Sequence, residues 1–332
     1  MTRRAGNLFF LLTLLVTVAA KAQSPADVHI TPHPDPQMTL PAGEPTLAVR
    51  ARPLRVDVDL VLVPVTVTDV KGKSVMDLRK EDFRLFERDQ ETPVRYFFSQ
   101  DTPISVGVVV DLSGSMKSKL DRVREAFDEF FKNADPADDY FVVTFSDRVK
   151  LLADTTTNIP TIQSKLAAME AKGNTALADA IYLSLLKLRT ARYERKALVI
   201  ISDGGDNASR NSLRKVKNLA READAQVYAI DVCDSPSVLF TKKIEERFGR
   251  QWLTQVSEVS GGRTIPVDDA SKIPEAAAQI SVELRNQYVL GFRPGNLERG
   301  DKWRKIRVRV ARKEDAPPLQ LYYKTGYMAQ GN

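Results

Sequence analysis

The strongest constraint on the fold is a regular alternation of strand-like and helix-like segments in the middle of the chain. Four short runs, at residues 104–110, 140–145, 197–201 and 227–232, are apolar at almost every position. A strand that is apolar on both faces is typical of a parallel sheet with helices on either side. Alternation of strands with helices favours the same architecture. The sequence therefore predicts a doubly wound, mostly parallel α/β fold over residues 103–286.

The segments between these runs carry apolar residues at helical spacing. Leu, Val and Phe side chains recur every three or four positions in residues 117–131, and residues 175–188 and 212–223 repeat the pattern. Such spacing places the apolar side chains on one face of a helix. We therefore expect three helices that cover the sheet, and a further helix over residues 271–286 that leads into the C-terminal part of the chain.

The segments on either side of the α/β block have the period of β-strands. Residues 54–100 contain a β-branched run followed by a Lys-Gly-Lys turn, and residues 287–328 contain three short alternating strands. Isolated hairpins are only marginally stable in water, which disfavours two separate β pieces. We therefore expect the two flanks to pack together as one small β-sandwich, into which the α/β domain is inserted.

One of the C-terminal strands is strongly basic. In residues 303–312 the apolar positions alternate with Lys305, Arg307 and Arg309. Alternating arginines are typical of a solvent-exposed sheet face or of a protected sheet edge. Contact with an anionic polysaccharide, a lipid or a nucleic acid is the alternative interpretation.

The N-terminus has the layout of a signal peptide. Two arginines precede an apolar run at residues 8–18, and residues 20–22 (Ala-Lys-Ala) supply small side chains where a signal peptidase cleaves. The run is shorter than the ~20 residues of a membrane-spanning helix. We therefore expect removal of residues 1–22, a Pro-rich linker over residues 23–53, and a soluble mature protein in the periplasm or outside the cell. A retained membrane anchor is the alternative.

Composition excludes several classes of site. With Cys233 as the single cysteine, the chain has no internal disulfide and no cysteine-based zinc or iron–sulfur cluster. The two histidines, His29 and His33, lie in the Pro-rich linker, which disfavours a Ser-His-Asp or Cys-His catalytic pair. Removal of the three positive charges in residues 1–22 lowers the net charge from +6 to +3, so no nucleic-acid partner is expected.

Oxygen-bearing side chains gather in three loops around the predicted strands. Asp111, Ser113 and Ser115 follow the first strand of the block. Asp203 follows the third strand, and Thr175 lies in a loop between them. Parallel strands bring such loops to the carboxyl edge of the sheet, and carboxylates, hydroxyls and retained waters suit octahedral Mg²⁺. The sequence predicts a divalent-cation site with one open position, which a carboxylate from another molecule can fill.

These three loops resemble the metal-ion-dependent adhesion site of von Willebrand factor type A (VWA) domains, whose pattern is Asp-x-Ser-x-Ser, a Thr in a second loop and an Asp in a third. The resemblance spans residues 103–286, and the whole chain is similar to exported bacterial VWFA-related proteins of the acidobacterial type. It implies a VWA fold and a bound Mg²⁺ ion, with Mn²⁺ or Ca²⁺ as alternatives. The ligands that it implies are Asp111, Ser113, Ser115, Thr175 and Asp203.

The function that this resemblance implies is binding rather than catalysis. We expect a metal-dependent adhesion or protein-binding module, not an enzyme, whose protein partner donates an Asp or Glu carboxylate to the cation. One alternative is a phosphatase or phosphotransferase of the haloacid-dehalogenase type, with Asp111 as the nucleophile. Another is a structural envelope protein without a functional metal, in which Ser113 and Ser115 only cap the following helix. No pattern in the sequence predicts an oligomeric state.

Overall fold

The computed structural model describes residues 60–98, 102–232, 242–295, 303–311 and 316–328. Within residues 242–250 it describes the helix and, of the individual residues, the surroundings of Gly249 alone. The expected signal peptide (residues 1–22), the expected Pro-rich linker (residues 23–53) and Cys233 lie outside the described residues. In the described part of the chain, no helix combines the length and the apolar character that crossing a membrane requires.

Strands and helices follow one another along the described residues. The strands are β1 (Val61–Thr68), β2 (Phe83–Glu87), β3 (Gln90–Thr92), β4 (Tyr96–Phe98), β5 (Ser105–Asp111), β6 (Asp139–Phe145), β7 (Val149–Thr156), β8 (Lys196–Ser202), β9 (Gln226–Val232), β10 (Thr264–Val267), β11 (Tyr288–Phe292), β12 (Trp303–Val310), β13 (Gln320–Tyr323) and β14 (Gly326–Met328). The helices are α1 (Leu120–Phe131), α2 (Ile159–Ala167), α3 (Leu177–Arg189), α4 (Leu213–Glu222), α5 (Lys242–Ser260) and α6 (Ile273–Arg285). Short 3-10 helices at Lys80–Asp82, Gly114–Lys119 and Ala270–Lys272 precede β2, α1 and α6.

The central sheet has six strands in the order β10-β9-β8-β5-β6-β7. Its neighbouring strands run parallel except for β6 and β7. β5, β6 and β9 are buried along their whole length, as their mostly apolar sequences predict. The predicted mostly parallel α/β sheet is therefore confirmed. The edge strands β7 and β10 escaped prediction because β7 is largely exposed and β10 has only four residues.

Helices cover both faces of this sheet. α1, α2 and α6 pack on one face, where the core includes Val108, Phe127 and Ile280. α3, α4 and α5 pack on the other face, where the core includes Leu198 and Ile181. Because alternate residues of a strand point to opposite faces, the same strands supply both cores. Burial of each large apolar side chain stabilises the fold by about 1.5–3 kcal/mol.

The helices differ in detail from those expected. The helix predicted over residues 117–131 begins inside a 3-10 turn and becomes α-helical only at Leu120. α3 begins at Leu177, so Thr175 precedes the helix rather than opening it. The expected helices do not include α2 or α5. In α2, Pro160 stands in the first turn, where the fixed φ of proline is compatible with a helix although the residue suggests a break.

The flanks form a sandwich of two four-stranded antiparallel sheets, β13-β1-β11-β4 and β14-β12-β2-β3. Each sheet combines strands from both flanks. β1 pairs with β11, with Val63 opposite Leu290, and β2 pairs with β12, with Leu85 opposite Val308. The inward side chains of the two sheets share one core. The prediction that the two flanks combine, with the α/β block inserted between them, is therefore confirmed.

A buried polar cluster joins the sandwich to the α/β domain. The hydroxyl groups of Thr66 on β1 and Tyr228 on β9 are hydrogen-bonded at 3.2 Å. Gln287, which precedes β11, donates from its Nε2 to Thr66 and, at 2.8 Å, to Oε1 of Gln226. Satisfied buried hydrogen bonds favour a single packing arrangement. Since Gln226 begins β9, the sandwich contacts the sheet at the end opposite to the carboxyl ends of the parallel strands.

Candidate functional site

The sheet topology creates a crevice between β5 and β8. From β5 the chain passes first to β6 on one side and later to β8 on the other side. In open α/β sheets, ligands bind outside the carboxyl ends of the strands at such a reversal of strand order. Asp111 is the last residue of β5, and Asp203 directly follows β8. The two carboxylates therefore flank the position where this fold accommodates a ligand.

The carboxylate of Asp111 is held from two directions. Asp111 is fully buried, and its Oδ1 accepts a hydrogen bond from the backbone N–H of Ser113 at 2.8 Å. Its Oδ2 accepts a hydrogen bond from the hydroxyl of Ser202, the last residue of β8, at 2.7 Å. These two contacts fix the orientation of the carboxylate and link the first loop to the strand that leads into the third.

The two serine hydroxyls of the first loop lie together. Oγ of Ser113 and Oγ of Ser115 are hydrogen-bonded at 3.1 Å. Ser113 occupies the N-cap position of the 3-10 helix Gly114–Lys119, but its side chain makes no capping hydrogen bond there. The interpretation that Ser113 serves only as a helix cap therefore has no supporting contact. The backbone N–H of Gly114 donates to the carbonyl oxygen of Gly173 at 3.0 Å, which ties the first loop to the second.

Thr175 lies in the second loop and is tied to the third. Its side chain is buried, and its backbone N–H donates to Oδ1 of Asn207 at 2.9 Å. The carbonyl oxygen of Thr175 accepts from the backbone N–H groups of Asn207 and Ala208, both at 3.0 Å. Gly173 supplies the positive φ of +92° that the turn before Thr175 requires. The second and third loops therefore form one hydrogen-bonded unit.

Thr175 and Asp203 bring their oxygens to the same place. The backbone N–H of Gly205 donates to Oδ1 of Asp203 at 3.4 Å. A Cβ atom added at Gly205 lies 3.5 Å from that Oδ1 and 3.8 Å from Oγ1 of Thr175. Both oxygen atoms therefore approach the same small space, which the missing side chain of Gly205 leaves open.

The site has an electrostatic cost without a cation. Burial raises the pKa of Asp111, and the neighbouring negative charge of Asp203 raises it further, to about 6. Both effects disfavour the ionised form of a carboxyl group. The physical causes are the removal of Asp111 from solvent and its closeness to the carboxylate of Asp203. A divalent cation between such groups offsets both effects.

The structure brings the five residues predicted from the sequence to one edge of the sheet, where hydrogen bonds link the loops that carry them. Three contributors to the site were not predicted. Ser202 holds Asp111, Asn207 holds Thr175, and Gly249 on α5 lies against the third loop. A Cβ atom at Gly249 would overlap the carbonyl group of Gly204. Of the three, only Ser202 carries a signal in the sequence, because it is a polar residue at the end of an apolar run.

The donor set has a definite chemical character. Within the described residues, no group of three or more His, Cys, Asp or Glu side chains is placed to hold a metal ion. The site instead offers two carboxylates and three hydroxyls, which are hard oxygen donors. Such donors suit Mg²⁺, Mn²⁺ or Ca²⁺ and do not suit ions that prefer nitrogen or sulfur. The residues therefore fit a hard divalent cation that also retains water.

Comparison with a protein-family model identifies the central domain. Residues 106–205 match the model described as "von Willebrand factor type A domain". This part of the chain is a VWA domain. The match runs from β5 to the third loop and includes Asp111, Ser113, Ser115, Thr175 and Asp203. A comparison with curated proteins gives no match.

Several solved structures resemble the chain at low identity. The PilB minor pilin of Streptococcus sanguinis is 15% identical, covers 57% of this chain and 63% of its own, and has a TM-score of 0.44. BatB of Bacteroides thetaiotaomicron is 18% identical, with coverages of 54% and 98% and a TM-score of 0.42. A von Willebrand factor type A protein of Catenulispora acidiphila is 10% identical, with coverages of 81% and 74% and a TM-score of 0.47. The chain spans less than two thirds of the pilin, and these likenesses carry no information on function.

Proposed function

We propose that the chain is a binding module that recognises a protein partner through a divalent cation, most naturally Mg²⁺, at the carboxyl edge of its VWA domain. The observation that carries the proposal is the arrangement of the three loops. The loops that carry Asp111, Ser113, Ser115, Thr175 and Asp203 form one hydrogen-bonded assembly, in which Ser113 and Ser115 pair directly. Such an assembly positions its oxygens before the cation arrives, which lowers the cost of binding.

The partner contributes a carboxylate in this proposal. The five protein donors are two carboxylates and three uncharged hydroxyls, which is one fewer than the six oxygen ligands that Mg²⁺ takes. When bound, the cation supplies a vacant coordination position at the surface of the protein. An Asp or Glu side chain on a protein partner has the hard anionic oxygen that this position prefers. Binding therefore depends on both the cation and one carboxylate of the partner.

The contacts of Asp111 favour binding over phosphoryl transfer. In a haloacid-dehalogenase mechanism Asp111 would attack a phosphorus atom and would need a free, accessible carboxylate oxygen. Asp111 is fully buried, and each of its oxygens accepts a hydrogen bond from Ser113 or Ser202. These contacts disfavour attack by Asp111 on phosphorus, and we propose a binding module rather than an enzyme. The test is phosphatase activity toward a generic phosphomonoester, which we expect to be absent both in the natural protein and in Asp111→Asn.

Isothermal titration calorimetry with Mg²⁺ and Mn²⁺ tests the metal directly. We expect one site per chain, and we expect Ser113→Ala and Asp203→Asn each to weaken binding at least about tenfold, because each removes one donor oxygen. Ser118→Ala is the matched control, since Ser118 is an exposed serine of the same 3-10 helix and lies outside the donor set. Equal affinities for Ser113→Ala, Ser118→Ala and the natural protein contradict the proposal.

Pull-down from the native cell envelope tests the partner. We expect capture of a protein in Mg²⁺ that is lost in EDTA and in Asp203→Asn, and retained in Ser118→Ala. Replacement of the acidic residues at the captured contact by amides should abolish capture. Capture that is unchanged by EDTA contradicts a metal-bridged contact and favours a scaffold role.

We further propose that the protein is exported. The support is the signal-peptide pattern of residues 1–22, which lies outside the described residues. N-terminal sequencing of the protein from fractionated native cells tests this. We expect a mature N-terminus near Gln23 in the periplasmic or extracellular fraction, whereas an intact Met1 in the cytoplasm contradicts export.

A further inference from the structure

The outer face of the sheet β14-β12-β2-β3 is strongly basic. Along β12, Lys305, Arg307 and Arg309 alternate with the buried residues Ile306 and Val308, and therefore all three point away from the sandwich core. Lys305 and Arg309 are exposed, and within the described part of the chain neither forms an ion pair. The basic residues of the strand thus face solvent as a row.

The neighbouring strand extends this row sideways. Arg84 on β2 lies opposite Arg309, and Phe86 lies opposite Arg307. The guanidinium groups of Arg307 and Arg309 lie 4.9 and 5.6 Å from the centroid of the Phe86 ring. The ring therefore supports the two guanidinium groups from below, which orients them without neutralising their charge. We call Arg84, Lys305, Arg307 and Arg309 the sheet half of the basic surface.

Acidic residues compensate this face only at its margin. Asp89 lies 3.0 Å from Arg307, and Glu91 lies 3.6 Å from Arg84. The side chains of both acidic residues are more than half exposed, at 69% and 58%. Exposed ion pairs are weak, with coupling of about 0–1 kcal/mol. A polyanion can therefore displace these contacts at little cost.

The VWA domain continues the basic surface. Helix α4 exposes Arg214, Lys215 and Arg221, which we call the helix half. α4 packs against β14, and the guanidinium group of Arg221 lies 5.5 Å from the centroid of the Trp303 ring, at the start of β12. Trp303 and Lys305 lie on the same face of the sheet because they are two residues apart. The two halves therefore meet at Trp303.

The dimensions of this surface favour an extended ligand. Outward residues two apart on a strand are separated by about 7 Å, so the outward positions from Trp303 to Arg309 span about 20 Å. Arg214 and Arg221 are separated by about 10 Å along the helix axis. The cations therefore form an elongated series across two domains rather than one compact pocket. A linear polymer with regularly spaced negative charges matches such a series.

We propose that this basic surface binds a linear acidic polysaccharide. Five of its seven cations are arginines, whose planar guanidinium groups pair with carboxylate or sulfate oxygens in a bidentate manner. The rings of Phe86 and Trp303 are covered by guanidinium groups, so they are not free to stack on nucleic-acid bases or to insert into lipid. The surface includes none of the five predicted metal ligands, and binding to it does not require a divalent cation.

Affinity measurements with two polysaccharides test the proposal. Heparin supplies sulfate groups and polygalacturonate supplies carboxylates. Both are titrated against the full chain in EDTA, which removes divalent cations from the metal site. We expect binding that weakens steeply between about 50 and about 200 mM salt, because the polymer releases counterions on binding. The triple variant Arg84→Gln/Lys305→Gln/Arg309→Gln should bind at least about tenfold more weakly and with a shallower salt dependence.

Two further triple variants make the test specific. Arg214→Gln/Lys215→Gln/Arg221→Gln removes the helix half and should weaken binding of long chains more than binding of short oligosaccharides, which contact one half only. Lys132→Gln/Lys150→Gln/Arg189→Gln removes the same charge from exposed positions elsewhere, and its affinity should stay within about twofold of the natural protein. All six replaced residues in these two variants are exposed, so circular dichroism should show an unchanged fold.

Three results would overturn the proposal. The first is absence of binding to both polysaccharides. The second is an equal loss of affinity in the control triple variant, which would show that only the overall charge matters. The third is tighter binding to duplex DNA or to phosphatidylglycerol vesicles than to either polysaccharide, with the same dependence on Arg84 and Arg309, which would assign the surface to a different class of partner.

Discussion

Ser202 is the residue whose removal tests most directly how the site is held together. Its hydroxyl donates to Oδ2 of Asp111 and accepts from the backbone N–H of Gly204 at 3.1 Å. In Ser202→Ala both buried partners lose this contact. A hydrogen bond to a charged group contributes about 1.5–3 kcal/mol, so we expect the free energy of unfolding to fall by that amount. The assay is urea unfolding followed by the fluorescence of Trp252 and Trp303, above about pH 7, where Asp111 is ionised.

The same change should also weaken metal binding. Removal of a residue that orients a metal ligand typically lowers metal affinity about 10- to 100-fold. Ser184→Ala is the matched control, because Ser184 is also fully buried but donates to a neutral carbonyl oxygen, that of Ala180, at 2.7 Å. We expect Ser184→Ala to cost at most about 1 kcal/mol and to leave Mg²⁺ affinity unchanged. Equal stability and equal Mg²⁺ affinity of the two variants would contradict a role for the Ser202 hydroxyl in holding Asp111.

Two further predictions concern the packing beside the site and the sandwich core. Gly249→Val should weaken Mg²⁺ binding by about tenfold or more in calorimetry, because the new side chain overlaps Gly204 in the third loop; unchanged affinity would contradict this close approach. Burial raises the pKa of Glu87, but hydrogen bonds from Tyr327, a backbone N–H and Arg304 outweigh burial and lower that pKa below its ordinary value of 4.5. A carboxyl group whose pKa is lowered in the folded state contributes to the free energy of unfolding above about pH 4.5. This contribution is lost as the pH falls through the folded-state pKa. In urea unfolding, Glu87→Gln should therefore be less stable than the natural protein at neutral pH, and its free energy of unfolding should fall less as the pH is lowered. An equal fall in the two proteins would contradict this interpretation.

The fold was largely predictable because burial leaves a simple pattern in the sequence. The central strands are apolar at almost every position, since helices cover both faces, and the flanking strands alternate because only one face is buried. The missed elements lack such a pattern. β7 exposes Leu151 and mixes charged with apolar residues, and α2 carries a proline in its first turn. Their places are decided by contacts with other elements, which local periodicity does not report.

The site was predictable to a different degree. Asp111, Ser113 and Ser115 share one loop, so their spacing is visible in the sequence. Contacts between loops are not visible there. Asn207 fixes Thr175 from 32 positions away, and Ser202 fixes Asp111 from 91 positions away. Such partners are set by strand order and register, which place β8 beside β5.

Anomalous diffraction from a crystal of the natural protein soaked in Mn²⁺ shows whether the three loops bind a cation. Mn²⁺ prefers the same oxygen donors as Mg²⁺ and can be located by its own scattering. We predict one strong peak in the crevice between β5 and β8, within coordination distance of the hydroxyls of Ser113 and Ser115. A crystal without a peak there, or with its strongest peak on residues remote from these loops, would contradict a cation-dependent binding site.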